Sequence, residues 1–384
     1  MTVRERFRAA LGRRATDRLP VTTHHIMPSF LRHVMEGIDN NAFFERFGID
    51  PITWVSAHLP DTSRDAYYDP SQTPGYLEPR RIISDQWRIS SEAVPDPQYA
   101  TVRYTIHTPR KALTTVLQSN EHTTWVSERL IKEPGDIDII DAYAPMPLCD
   151  VAAVNAISRS TGERAMIRGT IVCFDLYGQP GCWQDASVLF GIEDLILATY
   201  DDPEWVHAFL KVLLARKMKF VDSLRGAEFD ALELGGGDAS STVISPKVFD
   251  AFVAPYDTQL IDRAHAAGQK IVYHTCGGMM PFLERLADMG PDAMETFTPA
   301  GMGGDTLLGE AKRRIGDRVC MIGGFDQFHF FTKCTPEETR AEVRRCFNEA
   351  GAGGGYILCP SDHFFDADIP LLEAFADEAR RCVY

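Results

Sequence analysis

The chain has 384 residues, 45% of them hydrophobic and 24% charged, a composition that supports a large buried core and excludes a disordered chain. Lysine and arginine total 39 against 54 acidic residues, a formal charge of −15. With no basic patch beyond the arginines near the start, nucleic acid is excluded as an expected partner, and an anionic substrate is repelled unless the pocket supplies its own cations.

In chain order, Thr2–Arg13 reads as an amphipathic helix rather than a signal peptide, Leu19–Thr22 as a first strand, and Phe43–Phe47 as part of another helix. Between residues 81 and 131 the pattern turns to alternation, as in Val102-Arg103-Tyr104-Thr105-Ile106 and Thr123-Thr124-Trp125-Val126. That period predicts an antiparallel hairpin insertion near one mouth of the fold. From about Gly162 short β-rich runs alternate with longer helical stretches, the rhythm of βαβ units and a parallel sheet. Strands are expected at Met166–Phe174, Ala231–Leu234, Lys270–His274, Ala293–Thr296, Val319–Ile322 and Tyr356–Cys359, and helices at Glu204–Arg225, Pro246–Ala267, Met280–Met289, Gly304–Ile315 and Pro336–Ala350. Asp202-Pro203-Glu204 and Thr335-Pro336-Glu337-Glu338 each supply an N-cap residue, a first-turn proline and early acids. The expected fold is an α/β (β/α)8 TIM barrel, residues 1–384 forming one domain with 81–131 as the insertion.

No run of residues is long and apolar enough to span a membrane, so the expected location is the cytoplasm. Nine cysteines scattered through so long a chain do not resemble a disulfide framework and are expected as thiols or metal ligands.

The run Ile271-Val272-Tyr273-His274-Thr275-Cys276-Gly277-Gly278 is a buried strand entering a glycine turn. Positions i and i+2 of a strand point to one side, so His274 and Cys276 can face one point, and these two donors suit Zn²⁺. One buried His with one buried Cys is more often core than ligand, so the choice depends on further donors. Glu295 and Cys359 each end a later β-run, and in a barrel all four side chains converge on one rim.

These residues carry a family resemblance. His274-Thr275-Cys276-Gly277, Ser245-Pro246 with Pro255-Tyr256, Ile322-Gly323-Gly324-Phe325-Asp326 and Gly353-Gly354-Gly355-Tyr356-Ile357-Leu358 resemble the uroporphyrinogen decarboxylase and cobalamin-independent methionine synthase superfamily, and within it most closely the zinc-dependent corrinoid methyltransferases. The resemblance implies zinc on His274, Cys276 and Cys359 with Glu295 as fourth ligand. It also implies a corrinoid carried on a separate partner protein, and a small-molecule methyl donor or acceptor. It leaves a homodimer open. The tetrapyrrole decarboxylases of the superfamily are expected to carry an arginine-rich segment after the first strand. Here that stretch reads Thr22-Thr23-His24-His25-Ile26-Met27-Pro28-Ser29-Phe30, without the arginines that would grip substrate carboxylates. A metal-free decarboxylase-like lyase is therefore the second reading.

Phe325, Phe328, Phe330, Phe331, Phe364 and Phe365 follow the last two β-runs and favour a methoxylated aromatic substrate over a small thiol. Asp326, His329, Asp362 and His363 in the same loops are candidates for proton handling, and Asp238, after Leu232-Glu233-Leu234-Gly235-Gly236-Gly237, for lining the pocket. Asp175 is a similar candidate. Cys149, Cys173, Cys182, Cys320, Cys334, Cys346 and Cys382 lack a partner at telling spacing and are expected to be structural.

Overall fold

The structure, a computed structural model, describes residues 1–68, 81–172 and 178–384. Asp175 and Cys173 lie outside the described residues. Seven parallel strands form one curled sheet: β1 (Ile52–Trp54), β2 (Met166–Thr170), β3 (Ala231–Gly235), β4 (Ile271–His274), β5 (Ala293–Thr296), β6 (Cys320–Gly323) and β7 (Tyr356–Ile357), each paired with the next in chain order. An eighth segment closes the cylinder. Val21 makes a parallel bridge to Leu358, and its carbonyl accepts from Asp50 N at 2.7 Å, beside β1. The expected (β/α)8 barrel is therefore the observed fold.

The strands alternate strictly. Ile167, Leu232, Tyr273, Met294, Met321 and Leu358 face outward into the layer of helices, whereas Met166, Ala231, Val272, Ala293, Cys320 and Ile357 face inward. The inward set packs on Phe7, Ala10 and Leu11 of the first helix (Val3–Leu11), which plugs the N-terminal end of the barrel. Ion pairs lock that plug in place. Arg4 Nε lies 2.8 Å from Asp230 Oδ2, and Arg6 Nη1 lies 2.8 Å from Asp50 Oδ1. Asp50 Oδ2 accepts from Val21 N at 3.1 Å, tying the plug to the closing segment.

The helices beginning Pro203 and Pro336 start where the caps predict, the second with a full capping box between Thr335 and Glu338. The expected helix Pro246–Ala267 is instead interrupted by a π-helical stretch, Phe249–Val253. Pro255, one turn on, has no N–H to donate, and a widened turn accommodates the missing bond. The alternating region is a four-stranded antiparallel sheet (Arg88–Val94, Ala100–His107, Ala112–Ser119, Thr124–Glu128) rather than a single hairpin. Ile106 and Leu113 bury its inner face, and its last turn reaches the barrel loops through His122, which lies 3.1 Å from Ser29 Oγ and edge-on to Phe365. Among the described residues no helix is long and apolar enough to cross a membrane.

Candidate active site

One pleat further along the same strands the inward-facing residues change character. Two residues beyond Ile52, Met166, Ala231, Val272, Ala293 and Ile357 stand Trp54, Arg168, Glu233, His274, Glu295 and Cys359. Successive inward positions differ by two residues, so the apolar plug layer carries a polar layer directly above it, at the C-terminal rim. His24, just past the closing segment, completes the ring.

Glu295 is the hub. Its Oε1 accepts from three groups: His274 Nδ1 at 2.9 Å, His24 Nε2 at 3.1 Å, and the Arg168 guanidinium. Its Oε2, equally buried, has no hydrogen-bond partner among the described residues. His24 Nε2 also reaches Glu233 Oε2 at 3.0 Å, and Arg168 Nη2 lies 3.3 Å from the same oxygen. Arg168 stacks its guanidinium 4.7 Å from the centre of the Trp54 ring, and the Trp54 indole donates to the His24 carbonyl at 3.0 Å.

His274 Nε2 lies 2.8 Å from Cys276 Sγ, so the i, i+2 spacing does bring that pair together. Cys359 is buried beside Glu295, Arg168 and the His24 backbone. The four expected ligands thus stand in one neighbourhood. Among the described residues a cluster of candidate ligand atoms that leaves out both sulfurs, His24, Glu233, His274 and Glu295, has all its atoms within 4.8 Å of one another. Gly235 sets the spacing. It adopts a φ of +103°, and a Cβ there would stand 2.4 Å from the His274 carbonyl oxygen, so any larger residue would push His274 from its place.

Burial governs the protonation of these groups, with charge partners opposing it. It would favour a neutral Glu295, but Arg168 and His24 hold its pKa well below the carboxylate range. Burial opposes charge on Arg168 and His24, and Glu295 and Glu233 outweigh it and leave both raised. The Cys276 and Cys359 thiols are pushed up, chiefly by burial. Without a cation they therefore remain thiols.

The remaining sequence candidates separate. His363 joins the site, its ring stacked 6.0 Å from His24 and 5.3 Å from His25, with Nδ1 3.1 Å from Asp362 Oδ1. Asp362 also lies against Cys276. Asp238 is occupied elsewhere, accepting from Gln184 Nε2 at 2.9 Å and from the Ser187 hydroxyl. Asp326 caps the short helix Gln327–Phe330, accepting from His329 N at 2.9 Å, and the His329 side chain is exposed. Phe325, Phe331 and Phe364 are buried in core packing around Phe375, leaving Phe328 and Phe365 exposed. Sequence reading missed Arg168 and His24. A charged residue at the middle of the otherwise apolar Met166-Ile167-Arg168-Gly169-Thr170, in a sheet buried on both faces, was the signal for Arg168, and the adjacent His24-His25 pair was the signal for His24.

A closed parallel barrel with a buried ring of imidazole, carboxylate, guanidinium and thiol groups at its C-terminal rim defines a (β/α)8 enzyme. The chain belongs to the uroporphyrinogen decarboxylase (URO-D) family, whose model matches residues 100–381. It is 29% identical over 164 residues to the uroporphyrinogen decarboxylase of Neisseria meningitidis serogroup C, covering 41% of this chain and 43% of that protein. It is 26% identical over 234 residues to the enzyme of Methylococcus capsulatus, covering 58% and 62%. The chain thus aligns with less than two thirds of the length of either relative. A methyltransferase from Methanosarcina mazei shares the fold across 99% of both chains, with a TM-score of 0.59 at 14% identity.

Proposed function

We propose that this protein is a zinc-dependent methyltransferase that moves a methyl group between a small substrate and the cobalt of a separate corrinoid protein, with a methoxylated aromatic favoured and a thiol as the other substrate class. His274, Cys276 and Cys359 would hold the metal, with Glu295 as the fourth ligand. The observation that carries the reading is the asymmetry of Glu295: three donors crowd Oε1 while Oε2 is buried without one. A buried carboxylate oxygen with no donor is costly unless a cation faces it. The His274 imidazole with half-buried Cys276 against it, and buried Cys359 near Glu295, add a donor set suited to zinc.

When bound, zinc supplies Lewis acidity toward the ether oxygen or thiol sulfur of the substrate. The chain's own groups do the rest. Arg168 and His24 hold Glu295 ionised and fix its direction, as partners behind metal ligands do. Glu295 fixes the His274 ring through Nδ1, turning Nε2 toward Cys276. His363 stands at the rim with its Nδ1 3.1 Å from Asp362 Oδ1. Phe365, exposed at the rim, offers aromatic surface to a planar substrate.

A decarboxylase-like lyase is the second reading, favoured by the relatives' names. The site opposes it. Among the described residues its buried arginine, Arg168, is already matched by Glu233 and Glu295, so no guanidinium is left to grip a polycarboxylate.

The test is metal content together with transfer. Cys276→Ser and Cys359→Ser are each expected to lose the thiolate-bound zinc and all methyl transfer from methoxylated aromatics to a reduced corrinoid. Full transfer in either zinc-free variant would sink the proposal. Transfer from methylcobalamin to a thiol, with none from any ether, would reverse the substrate preference.

A further inference from the structure

Three imidazoles meet at the barrel mouth on the far side of His24 from Glu295. One ring nitrogen from each of His24, His25 and His363 lies within 4.8 Å of one from each of the others. The rings stand 3.9 Å (His24 to His25), 5.3 Å (His25 to His363) and 6.0 Å (His24 to His363) apart, centre to centre. We propose that they form a second divalent-metal site, separate from the thiol-bearing one.

Two features of the outer rings support this. His24 spends Nε2 on Glu233 and Glu295, while its Nδ1 is fully buried with no hydrogen-bond partner among the described residues. His363 Nδ1 lies 3.1 Å from Asp362 Oδ1, an ion-pair distance, and is likewise buried with no hydrogen-bond partner among the described residues. An imidazole nitrogen buried without a donor or acceptor is costly in a satisfied core. Three imidazoles with no sulfur suit a first-row ion such as Zn²⁺, Co²⁺ or Ni²⁺. Three protein ligands leave a coordination position for water or for an oxygen of the substrate. His24 would then link the two centres, donating through Nε2 to the Glu295 carboxylate while binding through Nδ1.

The probe is Co²⁺ added to the metal-stripped full-length protein, read by uptake and absorption. With both centres present, uptake is expected to be about two equivalents per chain. His25→Gln and His363→Gln should each remove about one of these and leave the near-ultraviolet thiolate-to-cobalt band intact. Cys276→Ser combined with Cys359→Ser should do the opposite, abolishing the band and retaining the visible bands of a nitrogen-ligated ion. If the thiol centre alone is misread, wild-type protein binds about one Co²⁺ without a thiolate band, and His363→Gln abolishes it. Co²⁺ uptake unchanged in both histidine variants, with far-ultraviolet circular dichroism showing them folded, would overturn the second site.

Discussion

Within one barrel, the layer of Met166, Ala231, Val272 and Ala293 and the layer two residues further along the same strands are built on opposite principles. The lower layer is apolar and sealed by the helix plug, so its stability comes from excluded water and close packing. The upper layer holds Arg168, Glu233, His274 and Glu295, all buried, and each charge there is tolerable only because another faces it. A single pleat, about 7 Å of strand, thus separates a region built for stability from one built for reactivity.

Removing one member of the upper layer should therefore cost more than removing volume from the lower. Arg168→Met strips the cation from two buried carboxylates. It is expected to destabilise by about 3–5 kcal/mol, to be seen in urea unfolding, and to abolish catalysis. A wild-type unfolding midpoint in that variant would mean the two layers do not differ in kind. Met166→Ala, one pleat below, should cost about 2–4 kcal/mol through the cavity it leaves, while the metal content stays at the wild-type level. Metal loss in Met166→Ala would show the layers to be coupled.

The outward face of β4 supplies a third point of comparison. Tyr273 donates to Asp257 Oδ2 at 2.8 Å, and burial raises the Asp257 pKa from 3.8 to about 6. Because the folded state holds this proton more tightly than the unfolded chain, the stability Asp257 contributes is full below about pH 4, falls as pH rises through 6 and is absent above. The drop is on the order of 3 kcal/mol. Asp257→Asn should remove it, and an unchanged pH profile of unfolding would refute the assignment. The smallest effect concerns the loops. His363→Ala, which removes a rim imidazole beside the expected ligands, should lower kcat/KM by on the order of 100-fold, and exposed His329→Ala by under about 10-fold. The reverse order would move the functional histidine to the outer loop.

The lower layer and the outer face were legible in the sequence because they follow a period. Ala293–Thr296 and Pro336–Ala350 have the expected bounds, the other expected barrel strands differ at their ends, with Phe174 outside the described residues, and Ile52–Trp54 was not expected. His274 and Cys276 were legible because their spacing is local. Arg168 and His24 were not, because their significance lies in carboxylates more than sixty residues away that only barrel closure brings near. The interrupted helix at Phe249–Val253 and the core role of Phe325 and Phe331 escaped for a related reason. Composition announces an aromatic or a proline, and tertiary packing decides its use.

The bridge between Val21 and Leu358 joins the earliest barrel segment to the last strand. During synthesis, at roughly 10 residues per second, the closing segment would wait on the order of 30 s for β7 to leave the ribosome. Until then His24 and Arg168 have been made, but the cylinder that seats them beside Glu295 is open. Assembly of the reactive ring is therefore one of the final acts of folding, and a nascent chain halted before Tyr356 should expose the apolar edge of β6 to chaperones.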